Sequence, residues 1–112
     1  MQKIPDWQST FHAEIQSALH ARLAGKEGKA RVCSRRAAGI AVGEYFRRQG
    51  IAFQNPSAVE RLKYLKSLPG LSPGAQRAAG LLLLRVTPDY TLPVEADLIS
   101  EARLLAEELL AE

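Results

Sequence analysis

Nineteen residues, Arg31 to Gln49, leave this chain few folds to choose from. The middle of the stretch, residues 37–42 (Ala-Ala-Gly-Ile-Ala-Val), is small or apolar on every side, and its ends are basic. A helix that is apolar all round has no face for water and belongs inside a bundle. Gly39 and Gly43 fall about one helical turn apart. Each glycine costs about 1 kcal/mol of helix propensity against alanine, so close approach of another backbone is the expected compensation. The stretch reads as the central helix of a small helical domain.

The rest of the chain supplies partners for that helix. A first helix is expected from about Trp7 to Ala24, with Trp7, Phe11, Ile15, Ala18 and Leu19 at three- and four-residue spacing and Gly25 as its stop. His12, Gln16 and His20 line its polar side; eight residues of helix separate the histidines by about 12 Å, too far to share a metal ion. The turn is expected at Gly25-Lys-Glu-Gly28, and Gly50 ends the second helix. Asn55-Pro56-Ser57 starts a third helix, with Asn55 as cap or Ser57 and Glu60 as an alternative capping box. There Ala58, Leu62 and Leu65 face inward and Arg61, Lys63 and Lys66 outward. Leu68-Pro69-Gly70 turns the chain. A fourth helix starts at Ser72-Pro73 and ends near Arg85. A two-proline connector, Thr87 to Pro93, leads to a fifth helix from about Glu95 to Leu110, striped by Leu98, Ala102, Leu105 and Leu109. No stretch alternates as a strand would. The expected fold is all-α: an up-and-down bundle of four to five helices, one domain over residues 1–112.

No apolar run approaches the roughly 18 residues of a membrane span, and Met1 to Asp6 lack the apolar core of a secretion signal. Cys33 is the only cysteine, which excludes an internal disulfide and fits a small buried residue. A cytoplasmic protein with no membrane contact is the expectation. No cofactor and no metal are expected.

The net charge of +3 says less than its distribution. Seven basic residues lie between Lys26 and Arg48, opposed only by Glu27 and Glu44, whereas seven acidic residues and only Arg103 follow from Asp89 onward. One reading pairs the basic helix with the acidic one, within the monomer or across a dimer. The other gives the basic helix an anion. Lys29 and Arg31 are expected in its first turn, where the macrodipole disfavours cations unless an anion is bound there. Arg35 and Arg36, a turn further on, would join them, so Lys29, Arg31, Arg35 and Arg36 are the candidate ligand-binding residues. Gly25 to Gly28 lacks the spacing of a phosphate loop and follows a helix. Glu44 precedes Arg47 and Arg48 by three and four residues, which predicts an intrahelical ion pair rather than a catalytic carboxylate.

Three features are shared with a known family. An Ala-rich second helix follows a glycine turn and ends in Arg-Arg-Gln-Gly-Ile. The helix Ala58-Val59-Glu60-Arg61-Leu62-Lys63-Tyr64-Leu65 leads into Leu68-Pro69-Gly70. Leu84-Arg85-Val86-Thr87-Pro88-Asp89-Tyr90 leads by a short linker into the last helix. From about Ala13 to Leu110 the chain thereby resembles the HEPN (higher eukaryotes and prokaryotes nucleotide-binding) family. The resemblance implies a helical bundle, often dimeric, among ribonucleases, toxin components and non-catalytic partners of small nucleotidyltransferases. The ribonucleases carry Arg, four to six residues, then His. Here Tyr90 stands at the fifth position after Arg85, and neither His12 nor His20 follows an Arg at that spacing. The resemblance therefore implies the non-catalytic branch: a homodimer whose basic helix meets a nucleotidyltransferase partner, a nucleotide or RNA. The alternatives are a divergent ribonuclease built around Arg35, Arg36, Glu44 and Arg85, and a purely structural oligomer.

Overall fold

The computed structural model describes residues 6–85 and 96–111. They form α1 (Trp7–Leu23), α2 (Glu27–Gln49), α3 (Ala58–Ser67), α4 (Pro73–Leu82) and α5 (Leu98–Leu110), with no strand among them. The two-proline connector, Tyr90 and Glu95 lie outside the described residues. None of the five helices is long and apolar enough to cross a membrane.

Each boundary has a local cause. Asp6 Oδ1 caps α1 by accepting from the Gln8 N–H at 3.3 Å. Gly25 and Gly50 adopt left-handed backbone, φ 75° and 68°, where a side chain would be strained. Both close the same paired motif. The Lys26 N–H reaches Ala21 O at 2.7 Å and the Gly25 N–H reaches Arg22 O at 3.0 Å; at the end of α2 the equivalent bonds run from Ile51 to Phe46 and from Gly50 to Arg47. This motif turns the chain so tightly that α2 begins at Glu27, inside the expected Gly25–Gly28 turn. Arg31 therefore lies beyond the first turn, and Glu27 takes the position that the dipole favours for an acid.

At α3 Ser57 is the cap, but only half of the capping box forms. Ser57 Oγ accepts from the Glu60 N–H at 3.3 Å, while the Ser57 N–H goes to Asn55 Oδ1 at 2.9 Å rather than to the Glu60 carboxylate. At α4, Ser72 Oγ accepts from the Ala75 N–H at 3.1 Å, and the same hydroxyl donates to Glu108 Oε2 of α5 at 3.3 Å. The Glu108 carboxylate packs directly against Gly74 in the first turn of α4. The helix stops at Leu82, short of the expected Arg85, because a side chain of α2 takes its terminal carbonyls (below).

α2 touches each of the other four helices. Ala37, Ala38, Ala41 and Val42 are fully buried, and Ser34, the one buried hydroxyl among the described residues, is satisfied by donating to Ala30 O at 2.8 Å. Gly39 and Gly43 are the bed for α3. Gly39 lies against the backbone of Ala58, and Gly43 lies under the Arg61 guanidinium. Arg61 does not face outward as its sequence position suggests. Its Nη1 donates to Gly39 O at 2.9 Å and its Nε to Asn55 O at 3.0 Å. The connector from α2 to α3 is pinned by aromatic packing: Phe53 stacks on Tyr64 with centroids 4.5 Å apart, and both rings meet Phe46 at 5.6 Å.

Candidate anion-binding cleft

Helical geometry sorts the basic residues of α2 into different neighbourhoods. Gly28, Arg31, Val32 and Arg35 recur at the three- and four-residue spacing of a single stripe. That stripe faces Val59 and Lys63 of α3, and the chain leaving α4 adds Leu83 and Arg85. Together they enclose a cleft of about 610 Å³. Four cations and three branched apolar side chains line it, and its described lining residues include no carboxylate and no imidazole.

Arg35 is the fixed member. Its Nε donates to Leu82 O at 2.8 Å and its Nη2 to Leu84 O at 2.6 Å. Leu82 O is an orphan carbonyl of the last turn of α4, where a cation is favoured, and Leu84 O lies just beyond the cap Leu83. Burial, and after it the like charges of Arg31 and Arg85, push the Arg35 guanidinium below its ordinary pKa. Val32, 43% exposed, is an apolar residue left in water at the cleft.

The four residues singled out from sequence do not form one patch. Arg31 and Arg35 line the cleft. Lys29 lines a separate hollow of about 220 Å³ with Lys26 and His20. Arg36 lines another beside Glu14 and Arg61. At 3.6 residues per turn, positions 29 and 36 each fall one residue, about 100°, off the stripe. Lys63, outward by its position on α3, and Arg85 also line the cleft, and the four-residue spacing of Lys63 from Val59 is the signal in the sequence that puts the two on one side of α3.

The acids next to the basic helix are otherwise engaged. Arg22 at the end of α1 binds Glu27 at 2.9 Å and Asp97, the cap of α5, at 3.1 Å. This joins three helix ends. Among the described residues, no ion pair links a cation of α2 to an acid of α5.

Glu44 accepts from Arg47 Nη2 at 2.7 Å and from Arg48 Nε at 2.8 Å, the intrahelical pairing expected from its spacing. The Arg47 hydrogen bond leads, burial opposes it and Arg48 reinforces it; the carboxyl is lowered from 4.5 to about 2. The unfolded chain thus binds this proton more tightly than the folded one, so the stabilisation is full above pH 4.5 and fades as pH falls toward 2. Urea midpoints between pH 6 and pH 2 should accordingly fall less steeply for Glu44→Gln than for the unmutated protein. Parallel curves would show that the pair adds nothing to folding.

No protein-family model, no curated protein and no solved structure matches the chain.

Proposed function

We propose that this chain is a non-enzymatic, HEPN-like binding module that holds a nucleotide in the cleft between α2, α3 and the end of α4. The observation that carries this reading is the cleft's make-up: Arg31, Arg35, Lys63 and Arg85 beside Val32, Val59 and Leu83 in about 610 Å³. That volume lies within the range of small-ligand sites, which combine apolar walls with a few polar anchors. Guanidinium forks suit phosphate oxygens, and the branched side chains suit a flat apolar surface such as a base. An open cleft of this size has room for a single nucleotide. The HEPN resemblance adds a homodimer and a nucleotidyltransferase partner to the reading. The sequence itself lacks the Arg and His spacing of that family's ribonucleases, and Glu44, a member of the ribonuclease alternative, is held by Arg47 and Arg48.

The test is a pair of fluorescence-anisotropy titrations, one with a labelled nucleoside triphosphate and one with labelled single-stranded RNA, at low and moderate salt. The nucleotide should bind, and more weakly as salt rises. Lys63→Glu with Arg85→Glu should weaken it at least ~100-fold, since two charge-assisted hydrogen bonds are lost at about 1.5 kcal/mol or more each. Lys29→Glu with Arg36→Glu, off the stripe, should leave it within roughly threefold. Equal losses in both double variants would mean that the protein's overall charge binds nucleotide, not the cleft. RNA bound far more tightly than the nucleotide would replace the nucleotide reading with an RNA one.

A further inference from the structure

Arg35 belongs to two structures at once. Its side chain lines the cleft. The Nε–Nη2 edge of its guanidinium is committed to α4, through Leu82 O at 2.8 Å and Leu84 O at 2.6 Å. The backbone of the final turn is closed by the Leu83 N–H, shared between Ala79 O at 3.1 Å and Gly80 O at 3.2 Å, and by the Leu84 N–H to Leu81 O at 3.2 Å. No other side chain among the described residues caps this end.

We propose that filling the cleft with an anion tightens the C-terminal turn of α4, and that Arg35 is the positioning residue that transmits the change. The inference rests on the anion-binding reading above. Its physics is like-charge relief. In the empty cleft, Arg31 and Arg85 place like charges beside the Arg35 guanidinium, which raises the cost of holding it there on its two carbonyls. Both like charges act on Arg35 in the structure, behind the effect of burial. An anion among the three cations cancels that repulsion from the cleft side and leaves the carbonyl side undisturbed. Binding energy then appears as order at a helix end that the ligand itself need not touch. The fork geometry is essential, because a planar guanidinium places two N–H groups on two carbonyls at once, whereas an ammonium is a single point charge.

Amide hydrogen exchange of the full chain, read by NMR with and without saturating sodium tripolyphosphate, tests this. Helix-end amides exchange by local opening rather than global unfolding. Exchange at Leu83 and Leu84 should slow at least fivefold on saturation, while Ala18 in the middle of α1 changes less than twofold. Arg35→Lys keeps the charge and should bind tripolyphosphate within roughly tenfold of the unmutated protein, measured by calorimetry, yet lose the slowing. Arg31→Gln supplies a test without ligand: with one repelling charge gone, Leu83 and Leu84 should exchange more slowly in the empty protein. Tripolyphosphate that binds without slowing these amides would overturn the coupling and leave the anion site standing. So would the same slowing in Arg35→Lys. An unmutated protein that binds no tripolyphosphate at low salt would overturn both readings.

Discussion

Alanine in place of Gly39 is expected to destabilise the protein by about 2 kcal/mol, the net of two opposing effects. Alanine is the better helix former by about 1 kcal/mol. Against that, the new methyl group would stand 2.7 Å from Ala58 Cβ and 2.9 Å from Ala58 Cα. Both distances are below what real Cβ atoms tolerate, and the second is to backbone, which cannot swing aside as a side-chain tip can. Overpacking costs about 1–3 kcal/mol, and a backbone contact at the first residue of α3 falls at the upper end. Separating α2 from α3 would also disturb the Arg61 bond to Gly39 O. The same substitution at Gly28 should act in the opposite direction, because nothing lies within 4 Å of a Cβ there. It should add up to about 1 kcal/mol. Paired urea melts of the two variants decide the matter. A Gly39→Ala protein as stable as the original would mean that α3 does not rest on this glycine.

Phe46→Ala carries the larger expected loss, about 3–5 kcal/mol, the range for emptying a large aromatic side chain from a packed core. Phe46 is 2% exposed. It is the ring against which Phe53 of the connector and Tyr64 of α3 both pack. Its removal leaves a void and unties the segment that leads from α2 into α3. Phe46→Leu refills much of that volume and should lose less than half as much. Chemical denaturation measures both, and proteolysis within residues 51–56 should accelerate in the alanine variant before global unfolding begins. A loss below about 1 kcal/mol would show that the site collapses around the void or that the three-ring cluster is not packed as described.

Much of this architecture is legible from residue spacing. The four small or apolar residues Ala37, Ala38, Ala41 and Val42 declare a helix surrounded by others, and Gly25 and Gly50 declare where it is entered and left. Ser72-Pro73 declares the start of α4. What spacing could not give was the end of α4, because the group that terminates it, Arg35, lies 47 residues away in sequence from Leu82. Arg61 is a second case, since its partner Gly39 O lies 22 residues away in sequence. Its outward position on α3 holds only until the glycine floor of α2 exposes a backbone carbonyl within its reach. The cleft was half legible. The run from Lys29 to Arg36 is one basic patch along the chain, but a helix distributes it around an axis into three separate hollows. The 28, 31, 32, 35 stripe was present in the sequence, but its completion by Val59, Lys63, Leu83 and Arg85 depends on how three helices meet.

α4 spans ten residues, too few for a helix to persist alone in water. Its first turn is held by a carboxylate of α5 and its last by a guanidinium of α2. It is therefore helical only in the company of both neighbours, one made before it and one made after. In a chain growing from its N-terminus, the residues of α4 emerge with α2 already available to receive their carbonyls but with the partner of Ser72 still unsynthesised. The element whose end closes one side of the cleft thus gains its last support only when α5 has been made.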